Sequence, residues 1–228
     1  MRDLGTVVIT GGTSGLGAAV ASAVADAGGR PYVLDRVRPH NRFAHEVVDL
    51  SDTEAAHRAV DRAAVTNGGI TAVVTCAGTD VCGRLDQVSA EDWERVVRVN
   101  LLGTAAVVRA ALPHLERSRG RVITVASTLG LRGVGDATAY CASKFGVVGF
   151  TQALAAETAG RIGVTLLIPG GMHTAFFDGR PERYRPPADA ELSDPDDVAS
   201  AVLFALQQPP GCEIRELLIA PAKETSWP

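Results

Sequence analysis

Eight residues near the start of the chain, Thr10-Gly11-Gly12-Thr13-Ser14-Gly15-Leu16-Gly17, limit what it can fold into more than any other stretch. They follow a short run rich in β-branched residues, Thr6-Val7-Val8-Ile9, which reads as a buried strand. They open onto Leu16 to Ala27, dense in Ala and Val and free of proline, which reads as a helix. Glycines allow a sharp turn and let the backbone approach a ligand with no Cβ in the way. The helix that follows aims its unpaired N–H groups and positive dipole end at an anion, for which a pyrophosphate is the natural choice. A glycine cluster alone is weak evidence, and the alternative is a turn with no ligand; strand, turn and helix in that order give it weight.

The rest of the 228-residue chain repeats the alternation. Strands are expected at Arg30–Asp35, His45–Leu50, Thr71–Thr75, Arg121–Ala126, Val164–Ile168 and Glu216–Ala220. Helices are expected at Thr53–Val65, from Ser89 past Asn100 to about Leu115, through Tyr140 and Lys144 to about Thr158, and over Asp194–Leu206. Ser89 followed by Glu91 and Asp92 is an N-cap with early acids. Such alternation implies an α/β fold: a doubly wound parallel sheet of about seven strands with helices on both faces. No repeat or linker divides the chain, so residues 1–228 are expected to form one domain.

Bulk properties exclude several functions. A net charge of -4 gives no surface for nucleic acid. No leader is expected before the first strand, and no apolar run is expected to approach the roughly 20 residues that cross a bilayer, so a cytoplasmic protein is expected. Cys76, Cys82, Cys141 and Cys212 show neither metal-ligand spacing nor a disulfide framework, and reduced thiols with no metal site are expected.

Asp35 closes the second strand 20 residues after Gly15, where an acid hydrogen-bonds ribose hydroxyls and repels a 2′-phosphate. That favours NAD, while Arg36 beside it keeps NADP open; the plainer reading is a strand-end acid. Asp49, at the end of the third strand, is either an adenine acceptor or a loop-facing acid. Tyr140 and Lys144 lie four residues apart, hence on one helix face. A tyrosine of ordinary pKa, about 10, is a poor acid–base catalyst near neutrality, and an adjacent ammonium lowers it. Ser127, 13 residues before Tyr140 and just past a strand, has a hydroxyl placed to hold a substrate oxygen. Alone, Tyr140 and Lys144 would be surface helix residues; together with the glycine turn, Asp35 and Ser127 they read as a site.

These motifs resemble those of the short-chain dehydrogenase/reductase family in its compact single-domain form, over nearly the whole chain. Thr10-Gly11, Gly15-Leu16-Gly17 match its cofactor turn; Asn100, Ser127, Tyr140 and Lys144 match its catalytic tetrad; Pro169-Gly170 and Thr174 resemble its cofactor-closing motif. The resemblance implies a Rossmann-type fold, a nicotinamide cofactor and hydride transfer to or from a secondary alcohol or ketone. It implies Tyr140 as general acid in reduction and base in oxidation, with Ser127 orienting the reacting oxygen. Lys144 would lower the tyrosine pKa and bind the nicotinamide ribose, Asn100 would support a proton relay, Thr174 would meet the nicotinamide end, and Asp49 the adenine. The implied cofactor contacts are Gly11, Thr13, Ser14, Gly15, Leu16, Gly17, Asp35, Arg36, Asp49, Leu50, Cys76, Ala77, Gly78, Tyr140, Lys144, Pro169, Gly170 and Thr174. Family members are commonly dimers or tetramers, and Trp227 is expected to pack on a neighbouring subunit.

The chain departs from the family at Thr75-Cys76-Ala77-Gly78, where Asn-Asn-Ala-Gly is usual. Ala77 and Gly78 keep the close backbone approach, but the amides that brace the sheet and the adenosine ribose region are gone, and a thiol is a weak donor. Residues 173–194 are the expected substrate lid: Phe176, Phe177 and Tyr184 to cover an apolar substrate, and Arg180, Arg183 or Arg185 to meet an acid. A solvated connection is the plainer reading. The ending Gly211–Pro221 resembles reductases of hydroxy acids and small ketones. The expected function is an NAD-preferring oxidoreductase; an NADPH-dependent ketoreductase and a non-catalytic cofactor-binding sensor or scaffold are the alternatives.

Overall fold

A computed structural model describes residues 4–38 and 43–224. Seven parallel strands form one sheet in the order β3-β2-β1-β4-β5-β6-β7: β1 (Thr6–Thr10), β2 (Arg30–Asp35), β3 (Ala44–Val47), β4 (Ala72–Thr75), β5 (Arg121–Val125), β6 (Gly163–Pro169) and β7 (Glu216–Ile219). The helices are α1 (Gly15–Asp26), α2 (Thr53–Asn67), α3 (Ala90–Val97), α4 (Thr104–Ser118), α5 (Thr138–Glu157) and α6 (Pro195–Leu206). β1, β4 and β5 are buried throughout, as strands covered on both faces must be. Val8, Leu34, Val73 and Val122 pack against α2 and α4; Val7, Ile9, Val33, Val74 and Ile123 pack on the other face against α1 and α6.

Local chemistry sets the ends of the helices. The Asp52 carboxylate accepts from the N–H groups of Glu54 and Ala55 at the start of α2, and left-handed Gly68 stops it. Ser89 caps α3 through Asp92 N–H, and Asp194 followed by Pro195 opens α6. β3 ends at Val47 rather than the expected Leu50, because its partner β2 ends at Asp35; Val48 N–H still reaches Asp35 O, and Val48 and Leu50 are buried against helices instead.

Two expectations about the middle helix are corrected. Between α3 and α4 the chain widens into a π-helical turn, Arg98–Gly103, rather than continuing as one α-helix. The absence of any membrane-length apolar run also fails: Ala90–Ser118 is long and apolar enough to span a bilayer by length and composition. Its apolar residues Val96, Val107, Val108, Ala111 and Leu115 are nonetheless buried inside the fold, with those of α4 packed in the core beneath the sheet.

The strand order reverses between β1 and β4, since the chain leaves β1 towards β2 and β3 and returns on the opposite side. Ligands of open α/β sheets bind at the carboxyl ends of the strands beside such a switch point. Thr10, Thr75 and Thr124 stand in register across β1, β4 and β5 at that edge. Thr10 Oγ1 accepts from Ala77 N–H and Thr124 shares a hydrogen bond with Thr151, while Thr75 Oγ1 has no partner among the described residues.

Candidate active site

The glycine turn is interlocked with its surroundings at backbone level. A Cβ on Gly17 would run into the Gly11 carbonyl oxygen, and one on Gly11 would lie 2.8 Å from Ala77 Cα and N. Gly11 and Gly15 hold φ values of +68° and +49°, which glycine alone adopts at little cost. Ser14 caps α1 by backbone conformation without a side-chain hydrogen bond, and the first turn carries no acid. The first turn of α1 therefore supplies no carboxylate of its own to its dipole end, and the glycine cradle lets a phosphate approach the backbone closely. These residues fit a dinucleotide pyrophosphate.

At the far end of β2 the Asp35 carboxylate accepts from Thr13 N–H at 3.1 Å, from the Thr13 hydroxyl at 2.7 Å and from Val37 N–H at 3.2 Å. Arg36 beside it is exposed. Asp49 is exposed and accepts from Ser51 N–H at 2.8 Å; that bond chiefly holds its carboxyl below the ordinary range. Leu50 is buried, its carbonyl 2.7 Å from where a Gly103 Cβ would sit, so glycine is needed where the π turn passes.

On the other side of the switch point, Asn100 lies in the π turn, 1% exposed. Its amide donates to Thr79 O at 2.9 Å and Ser143 Oγ at 3.0 Å, and its Oδ1 accepts from Thr79 N–H at 2.8 Å. Asn100 thus fixes the chain just after Gly78, beside α5. An added Cβ on Gly78 would lie 3.6 Å from Asn100 Oδ1 and 3.8 Å from Lys144 Nζ. Lys144 is buried and donates to Val125 O at 2.8 Å, with its Nζ 5.6 Å from the centre of the Tyr140 ring. Burial lowers the Lys144 pKa to about 8, against a smaller opposing pull from Cys76. Burial likewise pushes the Cys76 thiol up to about 12, which makes it packing rather than a nucleophile near neutrality.

Tyr140 opens α5 and faces Ser127 at the end of β5. Burial raises the phenol's pKa, and the hydrogen bond with Ser127 is the largest influence lowering it. Within the protein alone, therefore, the tyrosine is not made acidic: burial outweighs the Ser127 hydrogen bond, and the expected lowering by Lys144 is not among the main influences on the phenol. Ser127 Oγ accepts from Leu129 N–H at 3.1 Å, which occupies a lone pair and leaves its proton to point elsewhere.

After β6 the chain passes Pro169 and Gly170, which stays bonded to β7 through Ile219 O at 2.8 Å. A Cβ on Gly170 would meet Glu224, whose carboxylate accepts from Gly171 N–H at 2.9 Å. Thr174 then comes back over the glycine turn, its Cγ2 3.1 Å from where a Gly15 Cβ would lie. Beyond it Phe176 stacks obliquely on Tyr140 with ring centres 5.7 Å apart. Arg180 pairs with Asp80 at 2.8 Å, and Tyr184 donates to Asp136 at 3.0 Å.

The turn, Asp35, Asn100, Ser127, Tyr140, Lys144 and Thr174 thus lie along one edge of the sheet. Ser143, Asp80 and Gly130 were not anticipated from sequence, nor was the bond that Thr10 of the cofactor turn accepts from Ala77 N–H. Ser143 and Asp80 are ordinary polar residues whose partners lie far along the chain, and Gly130 matters only because a Cβ would come 2.9 Å from the Lys144 carbonyl. Trp227 lies outside the described residues.

Comparison with known proteins agrees with this geometry. The short chain dehydrogenase family profile matches residues 5–185. An uncharacterized oxidoreductase of Staphylococcus aureus (strain MW2) is 31% identical over 226 residues, covering 94% of this chain and 96% of its own. The glycine betaine reductase of Emericella nidulans is 32% identical over 236 residues, covering 95% of this chain but 19% of that protein. Two solved folds superpose closely, each at 24% identity. Ligand-free Thermoplasma acidophilum aldohexose dehydrogenase has a TM-score of 0.85, covering 96% of this chain and 93% of its own. The Thermococcus sibiricus alcohol dehydrogenase complexed with 5-hydroxy-NADP has a TM-score of 0.84, covering 93% and 94%. With its Rossmann-like sheet, its glycine cradle and a family match over most of its length, the chain belongs to the short-chain dehydrogenases, oxidoreductases that work with a nicotinamide cofactor.

Proposed function

We propose that this protein is an NAD-preferring oxidoreductase that interconverts a secondary alcohol and its ketone, carried by one domain over residues 1–228 with residues 173–194 as its substrate lid. The observation that carries the chemistry is the convergence of Tyr140, Ser127 and the buried Lys144 beside the glycine cradle. The bound nicotinamide supplies or accepts the hydride. Tyr140 donates its phenolic proton to the substrate oxygen in reduction and takes it back in oxidation. Its raised pKa keeps that proton in place at neutral pH, which suits reduction. The Ser127 hydroxyl, accepting from Leu129 N–H, turns its proton towards the same oxygen and holds it in place. Lys144, tethered to Val125 O, keeps two N–H groups for the nicotinamide ribose and a positive charge near the developing phenolate. Asn100 acts by position, holding the Gly78-Thr79 segment against α5 and supporting a proton path past Lys144. Thr174 covers the nicotinamide end.

The preference for NAD rests on Asp35. Three donors fix its carboxylate at the end of β2, where it accepts from ribose hydroxyls and repels a 2′-phosphate. Asp49 and Leu50 flank the adenine. The second reading, an NADPH-dependent ketoreductase, is favoured by exposed Arg36, the only neighbour with the right charge beside that carboxylate in sequence. Fluorescence titration with NADH and NADPH separates the two: tighter NADH binding is expected, and tighter NADPH binding assigns the choice to Arg36. Binding of neither nucleotide would overturn both readings.

Replacing Tyr140 with Phe is the test of the chemistry. Hydride transfer should fall at least a thousandfold while nucleotide affinity changes less than about threefold. Full turnover by that variant would overturn the role given to Tyr140.

We also propose a homodimer or homotetramer in a reducing, cytoplasmic setting. Phe145 on α5 and Leu102 on the π turn, each 46% exposed, offer an apolar face for a second copy, and the four cysteines are free thiols. A monomer by light scattering at micromolar concentration would exclude the assembly.

A further inference from the structure

The cleft above Tyr140 is closed by an ion pair internal to the chain. Asp80, two residues past Gly78, and Arg180, in the segment after β6, are 100 residues apart in sequence and 2.8 Å apart in space, with side chains 6% and 17% exposed. Asp80 is further fixed by Val81 N–H at 2.7 Å and by the Cys82 thiol at 3.3 Å. The Arg180 guanidinium lies 4.8 Å from the ring centres of both Phe176 and Phe177, and Phe176 in turn packs on Tyr140. Asp80 and Arg180 act on the Tyr140 phenol with opposite signs. The Arg180 charge is therefore already neutralised by Asp80, and the guanidinium sits on two aromatic faces.

We propose that Asp80 determines substrate class by holding Arg180 out of play, so that the site takes uncharged ketones and secondary alcohols and rejects 2-oxo and 2-hydroxy acids. This rests on the alcohol–ketone reading above. A substrate carboxylate entering beside Phe176 would have to displace Asp80 from Arg180 and leave a carboxylate buried without its cation. An uncharged carbonyl compound meets only the Tyr140 and Ser127 hydroxyls and the two phenylalanine rings. Converting Asp80 to its neutral isostere removes the competitor and leaves an uncompensated guanidinium facing the cleft, which is what a carboxylate needs.

The experiment compares reduction of 2-butanone and 2-oxobutanoate by the wild type, Asp80→Asn and Asp80→Asn/Arg180→Met, alongside saturation-transfer NMR of 2-oxobutanoate on each protein without turnover. The wild type should favour butanone in kcat/KM by at least tenfold. Asp80→Asn should shift that ratio towards the oxo acid by at least tenfold, mainly through KM, and acquire an NMR-detected 2-oxobutanoate signal. The double variant should lose both gains. A wild type that prefers the oxo acid, or an Asp80→Asn variant with no gain in ratio or NMR signal, overturns the proposal. Should neither ketone turn over, the alcohol–ketone reading falls, while the NMR comparison still decides whether Asp80 masks Arg180.

Discussion

The two walls of the cleft are built by different means. The wall around the glycine turn is fixed by backbone meeting backbone: Gly11 against Ala77, and Gly17 against the Gly11 carbonyl. The wall made by residues 173–194 has only two short 3₁₀ turns, Ala175–Phe177 and Glu182–Tyr184. Backbone bonds join its ends, Ser193 N–H to Gly171 O and His173 N–H to Ser193 O, and between those ends, among the described residues, side chains reach across to the body, Arg180 to Asp80 and Tyr184 to Asp136. Backbone interlock tolerates no added atom and gives one geometry. Side-chain tethers are broken and remade one at a time, and their elements open locally at small free-energy cost. A rigid wall suits a constant cofactor and a separable wall suits an exchanging substrate.

The sharpest way to break this comparison is Gly17→Ala. Ala is the better helix former by roughly 1 kcal/mol, so an isolated α1 would gain. In the folded protein the new methyl overlaps the Gly11 carbonyl oxygen and closes on Gly12 Cα at 3.0 Å, and backbone has no rotamer in which to yield. A net loss of about 3 kcal/mol in urea unfolding is expected, together with loss of nucleotide binding. A stable variant that still binds would show that the cradle flexes and that the contrast between the walls is unreal.

A smaller effect is expected at Lys144, which stands between the two walls. Its pKa is about 8 in the fold and near 10.5 when unfolded, so the unfolded chain holds more protons between those values. The burial penalty is complete below pH 8, and stability rises as pH climbs from 8 to 10.5. The shift corresponds to a penalty on the order of 3 kcal/mol, reduced by the hydrogen bond to Val125 O. Lys144→Met should therefore be more stable than the wild type at pH 7, and that advantage should shrink steadily across pH 8 to 10.5. Cys76 and Tyr140 are present in both proteins, and the coupling of Cys76 to the lysine, smaller than the burial effect, is the one other influence that differs between them. A flat difference curve would mean that Lys144 is not desolvated as the geometry requires.

The contrast between the walls also explains what was legible in the sequence. Glycines with positive φ, the strand-ending Asp35 and the capped helices leave local signatures, and β2 runs from Arg30 to Asp35 as its sequence suggests. The α/β fold follows from alternation alone. The π turn at Asn100 was hidden because its cause is tertiary: Gly103 must pass the Leu50 carbonyl, and Asn100 must reach Thr79 and Ser143. The bracing lost with Thr75-Cys76 was visible as a gap, but not that Thr10 takes over Ala77 N–H while Thr75 Oγ1 stays without a partner among the described residues. The lid arginines read as partners for a substrate acid because no local pattern pairs position 180 with position 80.

The smallest expected effect is Tyr184→Phe, and it probes the separable wall directly. The change deletes one hydrogen bond, from the phenol to Asp136 Oδ2, and leaves the ring for Arg183 to cover. Gly83 N–H remains bonded to the Asp136 carbonyl, so the loop beneath keeps its shape. Because the tether joins a locally opening segment to a body that unfolds as a unit, the global unfolding midpoint should not move. The population of the open segment should rise, by about fivefold for one such bond. Trypsin reads that population at a single place, since Pro181 and Pro186 protect the bonds after Arg180 and Arg185 and leave Arg183-Tyr184 as the cleavable bond of the three. Initial cleavage there should speed up severalfold in the variant. The Asp80–Arg180 pair would still hold the other end, so the same variant carrying Asp80→Asn should be cut faster than either single change. Cleavage rates that fail to rise in the double variant would mean that the two tethers do not hold one segment, and that the wall opposite the cradle is rigid for a reason other than these side chains.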